Sequence, residues 1–296
     1  MKRIVLFFAI IAPCLLQAKD IDVRKAGARP DGKTNCAAVI QKAIDLSAEE
    51  ESNLILSELK SDLKDCIQDQ NGNHVIQKII ERISQQGRKE ILDVILGNVY
   101  QFSIHQYGCR VVQRIYEYAE PLDANKILHE IYQNYNNLCV DQYGNYVLQL
   151  IISKMKKGEA PDEFYDKLLG NVFQYSNQKY ASNVLERCLG IGTPEQNKKL
   201  IDEVITSDNE NKDTIKKMVE DRFGNYVIQK MIEVANKEDQ MTLIRRIYSD
   251  QDLKKKEGFV KHVLNYIEKL VGGNTPGNEP KRNGGNGEEP KKRDFH

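Results

Sequence analysis

The 296-residue sequence has no excess of either charge: 43 basic residues balance 43 acidic ones, for a formal net charge of zero. That excludes the cationic stripe of a backbone-driven DNA binder, so any nucleic-acid role must rest on specific side chains. The six cysteines, Cys14, Cys36, Cys66, Cys109, Cys139 and Cys188, include no CxxC pair and no histidine partner at metal spacing. A zinc site is thereby disfavoured, and the cysteines read as reduced, mostly buried thiols. No glycine-rich phosphate cradle occurs. His105 and His129 lack a Cys or Ser constellation, so no catalytic residue, metal or cofactor is assigned. What the chain does have is 40% hydrophobic residues, enough to build a core.

The N-terminus points elsewhere. Lys2 and Arg3 precede a mostly apolar run over residues 4–16 and then Gln17-Ala18-Lys19, the pattern of a secretory signal over residues 1–18. This conflicts with the reduced thiols, and no Asn-x-Ser/Thr sequon leads into a loop. No later segment is apolar for long enough to span a bilayer. At the other end, residues 272–296 are rich in Gly, Pro, Asn and charge of both signs, and read as a disordered tail.

Between these ends a phrase recurs: DQNGNHVIQK from Asp69, HQYGCRVVQR from His105, DQYGNYVLQL from Asp141, NQKYASNVLER from Asn177, one residue longer, and DRFGNYVIQK from Asp221. Its anchors Asn73, Cys109, Asn145, Ser182 and Asn225 are 36, 36, 37 and 43 residues apart, the period of a stacked helical array. Each unit reads as a pair of helices, the first amphipathic, as over residues 88–96, and the second opened by the phrase. In the third phrase Val147, Leu148, Ile151 and Ile152 belong to a buried side, while Asn145, Tyr146 and Gln149 project from the other. The longer last step carries an insertion, residues 208–213, expected to be a loop. The segment 259–266 echoes the phrase without its polar residues and reads as a terminal cap.

Polar residues one turn apart can meet one base edge, and the neighbour of the first can offer a flat group to a base face. The phrases resemble the RNA-reading helices of the Pumilio (PUF) repeat family over residues 48–271. The resemblance implies an all-α, right-handed α-solenoid, truncated at its N-terminal side to five readable repeats plus the cap. It implies base-edge contacts from Asn73 with Gln77, Cys109 with Gln113, Asn145 with Gln149, Ser182 with Glu186, and Asn225 with Gln229. Stacking would come from His74, Arg110, Tyr146, Asn183 and Tyr226. In that family Asn with Gln implies uracil, Ser with Glu guanine and Cys with Gln adenine, and the RNA runs antiparallel to the protein. The implied target is 5′ UGUAU 3′ in single-stranded RNA, within 3′ regions of messenger RNA. The resemblance further implies repression or decay through protein co-repressors, a monomer, a cytoplasmic location and no enzyme activity. Lys78, Arg114, Arg187 and Lys230 recur just after the code and read either as phosphate contacts or as solvated charges.

Residues 19–47 read differently. Asp22-Val23, Gly27-Ala28, Asp31-Gly32, Thr34 and the helical spacing of Ala37, Val39, Ile40, Ala43 and Ile44 resemble the start of polygalacturonase-type pectin hydrolases, without that family's β-helix or catalytic carboxylates. With this short non-homologous segment in place of upstream repeats, an uncovered apolar face is expected at the repeat end, of which the helix near residues 36–46 could cover a part. Two alternatives follow: a secreted pectin-acting hydrolase remnant, or an α-solenoid that binds a protein partner instead of RNA.

Overall fold

The computed structural model describes residues 37–46, 49–210 and 213–272. The signal-like segment, most of the pectinase-like segment and the tail lie outside the described residues. All regular structure among the described residues is helical. A first helix, α1 (Ala37–Leu46), precedes five units of three helices each. The units are α2 (Glu49–Leu59), α3 (Leu63–Gln68) and α4 (Gly72–Arg82); α5 (Gln85–Ile95), α6 (Val99–Ser103) and α7 (Gly108–Tyr118); α8 (Pro121–Gln133), α9 (Tyr135–Val140) and α10 (Gly144–Lys154); α11 (Asp162–Asp166), α12 (Val172–Ser176) and α13 (Ala181–Ile191); and α14 (Pro194–Asn209), α15 (Thr214–Glu220) and α16 (Gly224–Val234). Then come α17 (Lys237–Ser249) and α18 (Phe259–Gly272).

The expectation of paired helices is corrected here. The stretch that reads as a connection in the sequence is itself a helix of five to seven residues in each unit. So short a segment completes barely one turn and shows no apolar period. The fourth phrase is corrected too: Gln178, not Asn177, occupies the place of Asp141, so this phrase is no longer than the others. The added spacing lies upstream, where α11 has five residues against eleven to sixteen in the other first helices. Aromatic packing fills that gap, with Phe164 edge-on to Tyr132 and Tyr135 at 4.8 and 5.3 Å between centroids.

Each phrase opens by solving the same problem, the unpaired N–H groups at a helix start. Asp69 Oδ1 accepts from the N–H groups of Asn71 and Gly72, both at 2.8 Å. His105 Nδ1, Asp141 Oδ1, Gln178 Oε1 and Asp221 Oδ1 each accept the equivalent pair in their own turns. Three residue types thus perform one task, which is why the phrase varies at this position and keeps its geometry. The glycine that follows is set by proximity. A Cβ on Gly72 would lie 2.6 Å from the Cys66 carbonyl oxygen, so α3 and α4 can touch backbone to backbone.

The phrase helices form one row. α4 packs on α7, α7 on α10, α10 on α13 and α13 on α16, while α1 extends the row at one end and α18 at the other. One apolar core runs through the stack from Ile40 in α1 to Ile267 in α18. The repeat end expected to be bare is therefore covered by α1, whose Ile40 and Ile44 are buried. Burial of each such side chain contributes about 1.5–3 kcal/mol. At the far end Val260, Val263 and Ile267 of α18 perform the same service.

The insertion before the fifth phrase is only partly a loop. α14 continues through Asn209, and Arg246 of α17 donates to the Ile205 carbonyl at 3.0 Å and to Asp208 at 2.8 Å. Asp213, with φ of 50°, then turns the chain into α15.

Neighbouring units are also clasped by carboxylates. Glu130 of α8 accepts from the N–H of Gly97 at 2.6 Å and of Val99 at 3.1 Å, capping α6 of the preceding unit. Gly97 has φ of 79°, a left-handed turn that aims these donors at the carboxylate. Glu203 of α14 grips Gly170 and Val172 in the same way. Bonds to a charged acceptor contribute about 1.5–3 kcal/mol when buried, less at a partly exposed clasp. Glu130→Ala is expected to cost about 1–2 kcal/mol in urea unfolding with helicity retained; an unchanged midpoint would mean that the clasp contributes nothing.

Candidate nucleic-acid interface

The code positions lie on α4, α7, α10, α13 and α16, so the row of helices brings all of them to one face in chain order. Their exposure corrects the expectation of fully projecting triplets. Asn73, Cys109, Asn145, Ser182 and Asn225 are all buried. The reason is local. A first-turn side chain folds back under the capping turn, where unpaired carbonyls await donors.

The hydrogen bonds show what each buried residue does. Asn73 donates through Nδ2 to the Asp69 and Gln70 carbonyls, both at 2.8 Å, and its Oδ1 accepts from Gln77 Nε2 at 3.0 Å. Asn145 donates to Asp141 and Gln142 at 2.8 and 3.0 Å and accepts from Gln149 at 2.8 Å. Asn225 donates to Asp221 at 2.9 Å, and Gln229 Nε2 donates both to the Asn225 backbone carbonyl at 2.9 Å and to its Oδ1 at 3.3 Å. The asparagine is thus a bracket that fixes which way the glutamine amide faces. With one N–H committed inward, a glutamine retains a second N–H and a carbonyl oxygen, one donor and one acceptor.

The other two units lack this bracket. Gln113 Nε2 donates to the Cys109 backbone carbonyl at 3.0 Å, and the Cys109 thiol donates to the Gln106 carbonyl at 3.7 Å. Burial pushes the Cys109 thiol up to about 11, so at neutral pH it is a compact, uncharged group. Ser182 donates to the Lys179 carbonyl at 3.3 Å, and Glu186 on the next turn is half-buried. A carboxylate offers acceptors only.

Beside the buried positions, His74, Arg110, Tyr146 and Tyr226 are exposed, the two tyrosines at 38% each. Asn183 is half-buried and bonds back to the Lys179 carbonyl at 3.1 Å. A cleft of about 520 Å³ opens along α4, α7 and α10, lined by Gln77, Cys109, Arg110, Gln113 and Tyr146 among others. Gln106, Gln142, Tyr143, Lys179 and Tyr180 also line it and were not anticipated. Their signal was present as a recurring polar-then-aromatic pair just ahead of the phrase helix, in Gln106-Tyr107, Gln142-Tyr143, Lys179-Tyr180 and Arg222-Phe223.

The basic residues after the code are engaged within the protein in three units. Lys78 meets Asp45 and Glu81 at 3.1 and 3.2 Å, Arg114 meets Glu117 and Glu81 at 2.9 and 3.5 Å, and Lys230 meets Glu233 at 2.8 Å. Lys154 on α10 adds a bond to Glu117 at 3.1 Å. From Asp45 to Lys154 this is one ladder of alternating charge crossing α1, α4, α7 and α10. The hydrogen bond from Lys78 holds the Asp45 carboxyl below its ordinary range, so this rung is present at neutral pH and is lost as acid protonates Asp45.

The four described cysteines, Cys66, Cys109, Cys139 and Cys188, are buried free thiols. Among the described residues no His, Cys, Asp and Glu cluster has metal-binding geometry, and no helix is long and apolar enough to cross a membrane.

The model of the Pumilio-family RNA binding repeat matches residues 39–60, 65–96, 98–132, 134–156, 171–205 and 218–248. The first match begins upstream of the boundary expected at residue 48. The chain is 34% identical over 121 residues to the mRNA-binding protein PUF3 of Saccharomyces cerevisiae, and 28% identical over 82 residues to a Pumilio domain-containing protein of Schizosaccharomyces pombe. These alignments cover 38% and 28% of this chain but only 14% and 10% of those proteins. Among solved structures, PUF-8 in complex with PBE-RNA superposes with a TM-score of 0.71 at 30% identity, covering 80% of this chain and 69% of that one. The Puf3 RNA binding domain bound to Cox17 RNA 3′ UTR recognition sequence site A gives 0.71 at 32% identity, covering 79% and 71%.

With its thiol raised from 9.0 to about 11, Cys109 in the native protein should react with iodoacetamide at pH ~7.5 about a hundredfold more slowly than in urea. Peptide mapping reads this directly. Equal rates in the two conditions would mean that the thiol is not held under the turn.

Proposed function

The chain belongs to the Pumilio family of RNA-binding repeats, a family of binding proteins and not of enzymes, and from that premise we propose that it binds single-stranded RNA containing 5′ UGUAU 3′. Each base takes one unit, with the 5′ uracil on Asn225 and Gln229 and the 3′ uracil on Asn73 and Gln77. The observation that supports this most is the inward hydrogen bond from glutamine to asparagine in the first, third and fifth units. In the first and third units it leaves the glutamine with one donor and one acceptor, which is what the mixed edge of uracil requires: N3–H to give and a carbonyl to receive.

Guanine presents two donors, N1–H and N2–H₂, and the acceptor-only carboxylate of Glu186 suits them. Adenine falls to Gln113, whose amide can meet a donor and acceptor edge, with the uncharged Cys109 beneath it. Arg110 and Tyr146 flank the cleft on neighbouring helices, and His74, Tyr226 and the smaller Asn183 hold the equivalent places. Stacking of a base on such groups contributes about 1–3 kcal/mol. The asparagines act as positioning residues, since the hydrogen bonds that hold them are already made within the protein.

The relatives that carry these repeats include an mRNA-binding protein and a domain bound to a 3′ UTR sequence. By that likeness the chain acts on messenger RNA 3′ regions in the cytoplasm, as a monomer, and represses translation or promotes decay by recruiting protein partners. It performs no catalysis itself.

Purified protein is expected to bind UGUAU at least tenfold tighter than UCUAU in fluorescence anisotropy; equal affinities would remove the guanine assignment from Ser182 and Glu186. Glu186→Gln should relax this preference with the circular dichroism unchanged. Tyr146→Ala should weaken UGUAU binding by about tenfold or more, and an unaltered affinity would mean that Tyr146 does not stack.

A further inference from the structure

We infer that His105 is a positioning residue for the adenine-reading unit and makes adenine recognition sensitive to mild acid: the gain in affinity from the fourth base of UGUAU falls as His105 takes up a proton. This rests on the RNA reading above and adds to it a control that the other caps lack.

The cap acceptors differ in what a proton does to them. His105 Nδ1 accepts from the N–H of Tyr107 at 3.2 Å and of Gly108 at 3.1 Å, so the neutral ring carries its proton on Nε2. A second proton can enter only at Nδ1, where it would point at two N–H donors, and both bonds are then lost. In the other units the carboxylates of Asp69, Asp141 and Asp221 and the amide oxygen of Gln178 accept the equivalent pair. Of imidazole, carboxylate and amide, only imidazole takes up a proton between about pH 7.5 and 5.5. The His105 cap is thus present at neutral pH and lost as pH falls, and the half-buried ring is open to solvent protons.

This unit also has the least else to hold its turn. Asn73 and Asn145 each tie two carbonyls of their own turns through Nδ2, at 2.8 to 3.0 Å. Cys109 ties one, that of Gln106 at 3.7 Å, through a thiol, which is a weak donor. The same turn carries the site. Gln106, Cys109, Arg110 and Gln113 all line the cleft, and Gln113 is anchored on the Cys109 carbonyl at 3.0 Å. When the first N–H groups of α7 lose their acceptor, the turn loosens, and with it the thiol beneath Gln113 and the guanidinium of Arg110.

The surroundings leave the imidazole to titrate by itself. Charge reaches this end of α7 from Arg110 and from Asp141 ahead of α10, both of which act on the neighbouring Cys109 thiol. On α4, Lys78 and Glu81 are taken up by the ladder, and His74 is exposed. On α3, Lys64 and Asp65 are exposed, and burial pushes the Cys66 thiol up to about 12. Arg88 of α5 lies over the Tyr118 ring at the far end of α7. Among the described residues, the side-chain partners of His105 are the two N–H groups and the Tyr107 ring, 5.9 Å away between centroids.

Two measurements test this. In the free protein at about pH 7.5, nitrogen NMR of the imidazole should show Nδ1 bare and Nε2 protonated, with the Tyr107 and Gly108 amide signals moving as the ring titrates; a neutral ring protonated on Nδ1 would overturn the inference. With RNA, anisotropy at about pH 7.5 and 5.5 compares UGUAU with the same pentamer made abasic at its fourth position. The ratio of the two affinities should fall about three- to tenfold in acid with helicity retained, while the ratio for an abasic third position stays constant. His105→Asp and His105→Gln supply the acceptors that the other units use, and each should give one fourth-base ratio at both pH values. Both variants keep His74, so a fall that persists in them belongs to His74 and overturns the inference, as does a flat ratio in the unaltered chain. Loss of UGUAU over UCUAU discrimination at the higher pH would instead take down the RNA reading, and the NMR result would still decide whether His105 caps the turn through Nδ1.

Discussion

A helix with one apolar stripe cannot hide that stripe by itself, and in this chain neighbours are hidden only by neighbours. The core that runs from Ile40 to Ile267 is the result. Everything that faces the cleft is positioned by it, because a phrase helix that must bury Val147, Leu148, Ile151 and Ile152 has no freedom to rotate Gln149 or Tyr146 elsewhere. Registration of the polar face is thus a by-product of apolar packing. The carboxylates of Glu130 and Glu203 add a second constraint, since each ties one unit to backbone donors of the unit before.

The capping turn and the asparagine bracket share atoms. The carbonyls of Asp69, Asp141 and Asp221 receive the asparagine amides, while their carboxylates receive the first N–H groups of the helix. A substitution at the cap therefore reaches the glutamine through two bonds. The unit with His105 in this place also has Cys109 in place of asparagine, and the unit with Gln178 has Ser182. The three units with an aspartate cap are the three with an Asn–Gln bracket.

Much of this was legible in the sequence because helical periodicity is a strong signal where helices are long. The five phrase helices, their apolar faces and the positions that share one side follow from spacing alone. The short helices did not, since Val99–Ser103 or Val172–Ser176 holds too few residues to display a period. Burial of Asn145 was misjudged for a related reason: period assigns a face, and it says nothing of a turn folded over that face. Gln178 was passed over because the eye pairs Asn177 with Asp141, whereas the backbone donors pair with the side chain that can reach them. The place of α1 was hidden by Ala37 and Ala38, which erase the polar half of the phrase and leave the apolar half to be read as another family's.

The ladder from Asp45 to Lys154 has a bearing on how the chain would meet a polyanion. Binding to nucleic acid usually gains from counterions released when protein cations replace them along the phosphates, and affinity then falls steeply with ionic strength. Here Lys78, Arg114 and Lys154 already face carboxylates of their own protein. These three would displace few ions, and their share of the dependence on salt would be shallow. A strand of the wrong sequence would then gain little from these three charges, and discrimination would rest on the bases.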